Sequence, residues 1–270
     1  MSFIEALLLG LVQGLTEFLP VSSSAHVQIA QELLDLSELT RPQLTAFIAI
    51  IQLGTELAVV LYFAKDIFRI LKSWFTEGFQ PFKQQPADSK LGWLVIIGTV
   101  PIVALGLTFE NQIENELRSL TLIGFTLIIF GIALGLADWL GPKTKNVENL
   151  SIRDGVLIGL GQAMALIPGV SRSGGSITVG RLLGLNREAA TRFSFLIAIP
   201  AVLGAGLYQF FTSFGDLPIE LLLSTLVATV VSFVVGYAVI AFLLAYVRRG
   251  SFLPFVIWRI VVGVFVLTLV

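Results

Sequence analysis

The chain has 270 residues, 56% of them hydrophobic, with a mean hydropathy of +0.90. Only 13% are charged, against ~25% in soluble globular proteins. The net charge of −1, zero Cys and single His exclude a basic nucleic-acid surface, thiol chemistry, Cys-based zinc sites and a multi-His metal centre. This balance points to a polytopic membrane protein.

Taken in chain order, residues 1–36 hold an apolar helix, Phe3–Val12, and then the polar string Gln13-Gly-Leu-Thr-Glu-Phe-Leu-Pro-Val-Ser-Ser-Ser-Ala-His26. A short helix ending near Leu36 follows. The segment lacks a basic start and runs directly into polar residues, which argues against a cleaved signal. Spans are expected over Pro42–Ala64, Leu91–Phe109, Leu120–Ala137, Phe193–Gly215, Leu221–Tyr246 and Ser251–Val270, six in all. Asp66–Phe79 reads as an amphipathic stretch at the cytoplasmic interface. Residues 155–186 repeat the opening pattern: apolar Gly155–Ile167, the polar string Pro168-Gly-Val-Ser-Arg-Ser-Gly-Gly-Ser176, and a short helix to Leu185.

Both broken regions are too short to cross the membrane twice. Each is expected to form a re-entrant hairpin, because irregular backbone at membrane depth must line protein or a wet cavity. Ser22-Ser-Ser24 aligns with Ser171-Arg-Ser173, and Leu33-Leu-Asp-Leu36 with Leu182-Leu-Gly-Leu185. The expected fold is therefore an all-α polytopic membrane protein of six transmembrane helices plus two re-entrant hairpins. It forms a single domain, 1–270, built from an internal repeat of about 1–140 and about 150–270. Loops rich in base (Lys65, Arg69, Lys72, Lys83 and Lys90; Lys143, Lys145 and Arg153; Arg248 and Arg249) alternate with poorer ones (Glu38 and Arg41; Glu110, Glu114, Glu116 and Arg118; Asp216 and Glu220). The positive-inside rule puts the first set in the cytoplasm. The repeats are then inverted, with both termini outside, and their tips meet near the midplane.

The polar strings carry the candidate chemistry. Gln13 and Glu17, four apart, share a helix face. A carboxylate there is costly unless paired or functional, and suits either a hard divalent cation, to which Gln13 could add a neutral oxygen, or a partner that orients His26. Ser22, Ser23 and Ser24 sit where a helix begins, a capping position and equally an anion site. His26, three residues after Ser23, has an ordinary pKa suited to proton transfer at neutral pH. Arg172, flanked by Ser171 and Ser173 and followed by Gly174, Gly175 and Ser176, presents a planar fork matched to phosphate. The glycines would let backbone amides approach a ligand. Arg172 could instead pair with Glu17 and tie the hairpins together, and the two roles are compatible. Together these groups describe a phosphate pocket in a lipid-facing protein. Glu56, mid-span, either lines this pocket or bonds between helices; Asp138 sits at a helix end; Arg259 is expected to snorkel.

The two strings resemble the signature motifs of the bacterial undecaprenyl-diphosphate phosphatases of the bacitracin-resistance type. The likeness extends over nearly the whole chain, including Phe193-Ser-Phe-Leu196. The resemblance implies hydrolysis of undecaprenyl diphosphate to undecaprenyl phosphate and inorganic phosphate, with a divalent cation, Mg or Ca. It implies catalytic roles for Glu17, Ser23, His26 and Arg172, with Glu17 and Gln13 as metal ligands and Ser22, Ser24, Ser171, Ser173, Gly174, Gly175 and Ser176 around the substrate. Gln13 takes the neutral option at the motif's first acidic position, and Ser176 stands where Thr is usual. Ser23 would attack the terminal phosphorus with His26 as base, or His26 would activate water. The partners are a polyprenyl diphosphate lipid and the membrane, with no nucleic acid; a homodimer is compatible. The expected location is the bacterial inner membrane with the site open to the periplasm. A flippase of polyprenyl phosphate would need the same anion pocket, and is the alternative.

Overall fold

The computed structural model describes residues 1–34, 36, 39–109, 119–142 and 144–270, without the side chains of Ser213 and Phe214. Glu38, Glu110, Glu114, Glu116, Arg118 and Lys143, used above for orientation, lie outside the described residues. Eleven α-helices occur among the described residues: α1 Phe3–Thr16, α2 Ser23–Leu33, α3 Arg41–Tyr62, α4 Ala64–Glu77, α5 Ala87–Thr108, α6 Leu120–Leu140, α7 Ile152–Ala163, α8 Arg172–Leu182, α9 Arg187–Ser213, α10 Leu222–Val247 and α11 Leu253–Leu267.

Five helices, α3, α5, α6, α9 and α10, are long and apolar enough to cross a membrane. Their outer faces carry large exposed apolar side chains at helical spacing, such as Phe125, Ile129, Ile132 and Leu136 on α6. In water such a surface would drive association; against lipid it is the ordinary exterior. The expected sixth span, 251–270, contains the shorter helix α11, whose 15 residues rise about 22 Å against a hydrocarbon thickness of about 30 Å. The sequence stays apolar past Leu267, so hydropathy alone does not mark where the helix ends. Helix α4 takes up the amphipathic stretch, with Ile70 buried and Phe68, Leu71 and Phe75 exposed.

The polar strings break the helices as their composition demands. Helix α1 starts at a capping box between Ser2 and Glu5, and α7 at one between Ser151 and Asp154. Each stops after 14 and 12 residues, short of a membrane crossing. Each break turns at a serine with positive φ, Ser22 at 76° and Ser171 at 72°, the only non-glycine residues of that kind among those described. The hydroxyls of Ser22 and Ser24 lie 3.2 Å apart, as do those of Ser171 and Ser173. Helices α2 and α8 then run for 11 residues each, ending three residues before the expected Leu36 and Leu185. Packing crosses between the halves: α1 lies against α10, α7 against α5, α3 against α9 and α6 against α11.

One side chain joins the breaks. Arg259 of α11 is fully buried, and its guanidinium donates to the carbonyls of Pro20 at 3.1 Å, Val170 at 3.0 Å, Gly169 at 2.9 Å and Leu127 at 3.2 Å. It has no ion-pair partner among the described residues. This overturns the expectation that Arg259 snorkels. Its charge stays inside because the breaks leave carbonyls without helical partners, and such groups at membrane depth cost several kcal/mol each if unmet. A separate buried knot forms where Arg181 and Arg187 both bond Asp138, which also accepts from the Phe252 amide.

Replacing Arg259 by Met removes four hydrogen bonds at once. The expected loss is about 3 kcal/mol or more, lowering the melting temperature in detergent by about 6–12 °C. Tryptophan-fluorescence melting reads this, and an unchanged transition would contradict the role.

Candidate active site

Helix α1 carries Gln13 and its C-terminal capping residue Glu17 one turn apart, and the Gln13 amide donates to Glu17 Oε2 at 2.9 Å. The same amide reaches Thr55 Oγ1 of α3 at 3.4 Å. The other carboxylate oxygen, Oε1, accepts from Arg172 Nη2, so the first residue of α8 is ion-paired to the end of α1. This is the tie anticipated between the two strings. A second bond runs parallel to it, from Ser173 Oγ to the Leu19 carbonyl at 3.1 Å.

Beside this junction lies a small cavity of about 10 Å³, room for about one water or a bare ion. Its polar lining is Glu17, Thr55, Glu56, Arg172, Ser173 and Ser194, and its apolar lining includes Phe18, Val59, Phe195 and Val202. Ser194 is held by Ser176, the two hydroxyls 2.6 Å apart. Glu56 is 2% exposed, and neither carboxylate oxygen has a hydrogen-bond partner in the protein. The alternative that Glu56 serves helix–helix hydrogen bonding is therefore not what the structure contains. Arg172, Glu17, hydroxyls and an unpartnered carboxylate are chemically suited to a phosphate group and a cation, and a phosphate would enter only if the walls part.

The remaining predicted residues are placed differently. Ser23 opens α2 and is half-buried, and Ser24 is exposed; neither they nor His26 line the cavity. His26 Nδ1 lies 2.8 Å from the Ser22 carbonyl, and the Trp258 indole N–H donates to Nε2 at 2.8 Å. Because an indole only donates and a carbonyl only accepts, the ring is the neutral tautomer with its proton on Nδ1. Glu17, bound to Gln13 and Arg172, does not orient it. Glycines 174 and 175 serve packing rather than ligand approach. A Cβ on Gly174 would lie 2.9 Å from Arg259 Nη1, and one on Gly175 would strike the Gly161 carbonyl. Their amides are already used, Gly174 donating to Ser171 Oγ and Gly175 to the Ser171 carbonyl.

Four residues of weight were missed or underrated. Glu56 had a signal as the only acid in its span, and Arg259 as the only charge in 251–270. Ser194 sits inside the string Phe193–Leu196. Thr55 had no signal of its own.

A family model described as "Bacitracin resistance protein BacA" matches residues 6–265. An undecaprenyl-diphosphatase of Nocardioides sp. is 51% identical over 99% of this chain and 96% of the relative. One of Micrococcus luteus is 51% identical over 97% and 95%, and undecaprenyl-diphosphatase 2 of Agrobacterium fabrum is 52% identical over 100% and 96%.

The Glu17–Arg172 pair should show direct energetic coupling. In a double-mutant cycle of Glu17→Gln and Arg172→Gln, unfolding of the detergent-solubilised protein is expected to give about 1–3 kcal/mol of interaction energy. A value below about 0.5 kcal/mol would show that the two act independently.

Proposed function

This chain belongs to the bacitracin resistance protein BacA family, and from that footing we propose that it is a membrane phosphatase that hydrolyses undecaprenyl diphosphate to undecaprenyl phosphate and inorganic phosphate, recycling the lipid carrier. The observation that carries the reading is the Arg172–Glu17 junction beside a cavity lined by both polar and apolar side chains. The guanidinium fork suits diphosphate oxygens, Ser173, Ser194 and Thr55 offer hydroxyls, and the apolar wall suits an isoprenoid chain.

Ser23 and His26 lie outside the cavity, so the chemical step requires the diphosphate bound by Arg172 to reach across to them; Ser23 Oγ then attacks the terminal phosphorus. The Ser–O–P bond forms, the bond to the lipid phosphate breaks, and the hydroxyl proton passes to His26 Nε2. Water then releases inorganic phosphate. In the second route His26 activates water directly. Either route requires Nε2 to give up the Trp258 hydrogen bond.

The broken pairs α1/α2 and α7/α8 serve as re-entrant hairpins from opposite leaflets, with α11 as a sixth, short span. The matched serine turns and the cross-packing of the two halves support an inverted repeat of about 1–140 and 150–270. With the base-rich loops in the cytoplasm of the inner membrane, the first hairpin opens outward.

A divalent cation, Mg or Ca, fits the donor set. The cavity offers carboxylate and hydroxyl oxygens, and the two Glu56 oxygens have no partner in the protein. Glu17 and Gln13 would hold the ion, which when bound neutralises diphosphate charge.

Purified protein is expected to release phosphate from a polyprenyl diphosphate, and a chelator to suppress the release. Arg172→Ala should lower turnover by about 100-fold or more. Retained turnover at saturating substrate would overturn the phosphate-binding role. Near-normal turnover of Ser23→Ala would exclude the serine route and leave activated water. Movement of polyprenyl phosphate between leaflets without phosphate release would favour the transporter instead.

A further inference from the structure

Glu56 is the least explained group in the molecule. It lies within α3, 2% exposed, with both carboxylate oxygens buried and unpartnered. The space it fills exists because residue 206 of α9 is Gly, since a Cβ there would collide with the Glu56 carboxylate. The Arg172 charge and the nearby Gln52 side chain offset part of a charge there but complete no hydrogen bond to the carboxylate, and a protonated carboxyl would bury an O–H with no acceptor. Both states need a partner that the protein does not supply.

The charge of the cavity says what that partner is. With Glu17 and Glu56 both ionised against Arg172, the lining carries a net charge of −1 before substrate enters. A diphosphate head adds about two or more negative charges. A low-dielectric cavity cannot accept that excess without a cation. Oxygen donors from two carboxylates, with phosphate oxygens completing the shell, are the usual surroundings of a hard divalent ion. Among the described residues no three His, Cys, Asp or Glu side chains gather into an all-protein cage, so the substrate must supply part of the coordination.

We propose that Glu56 is the second carboxylate of a divalent-cation site shared with Glu17, supplying from α3 the negative charge that Gln13 leaves out on α1. The proposal rests on the phosphatase reading above and goes beyond it by assigning the ion to two helices. Gln13 is linked to both helices, its amide bonded to Glu17 and to Thr55, the residue next to Glu56 in sequence. A carboxylate at 13 would supply, from behind Glu17 and Thr55, the second negative charge that Glu56 supplies from the cavity wall.

The test is Mn²⁺ titration of the detergent-purified protein, read by loss of the free-ion paramagnetic resonance signal and therefore independent of turnover. Glu56→Gln is expected to weaken Mn²⁺ binding about tenfold or more. Adding Gln13→Glu to that variant is expected to restore affinity to within about threefold of native. Thermal melting of each variant confirms that the fold survives. Native affinity in Glu56→Gln, failure of the double variant to recover, or no Mn²⁺ binding by the native protein would each overturn the assignment. Phosphate release, measured in parallel, separates the two readings. If the protein binds Mn²⁺ through Glu56 and releases no phosphate, the phosphatase reading fails while the cation site stands. If it releases phosphate and Glu56→Gln leaves Mn²⁺ affinity unchanged, only the cation assignment fails.

Discussion

The constraint that governs this molecule is the need to satisfy backbone carbonyls where two helices are broken inside an apolar protein. Arg259 meets it with one side chain. Its five N–H groups and planar head reach carbonyls on both breaks and on α6, a task no neutral residue could perform from one position. The charge is tolerated because four carbonyl dipoles converge on it. The breaks are tolerated because the charge is there. Each would be prohibitive alone.

On that scaffold the two breaks divide the labour of the cavity. The first delivers a carboxylate at the end of α1, and the second delivers a guanidinium at the start of α8. Neither residue is long enough to act across a spanning bundle, so they meet only because both helices stop short. The serines that precede α2 and α8 take the positive φ that lets the chain reverse, and their hydroxyls knit the turns. Local strain of this kind persists where the surroundings over-determine it.

Much of this was legible in the sequence, and the parts that were not share a cause. The breaks were visible because Pro20, Pro168 and the serine strings interrupt apolar runs. The Glu17–Arg172 pair was foreseeable because two opposite charges at membrane depth seek each other. Five spans followed from hydropathy at full length, whereas within 251–270 only the 15 residues of α11 are helical, because its apolar flank continues beyond the helix. Arg259 was misread because a lone charge in a span has two outlets, the interface or a buried acceptor, and its acceptors are carbonyls more than 80 residues away in sequence. His26 was expected to face the serines, yet its Nε2 is held by Trp258, 232 residues distant. Spacing predicts a shared face on one helix; it does not predict which other helix covers that face.

The position of Arg259 also sets a schedule for assembly. Pro20 precedes it by 239 residues. At ribosomal rates of about 5–20 residues per second, the first break waits roughly 10–50 s before its permanent partner is made. During that interval its carbonyls must be served by water or by the insertion machinery. The nascent chain therefore cannot close from its N-terminus forward. The last helix is the clasp, and the interior becomes dry only when it arrives.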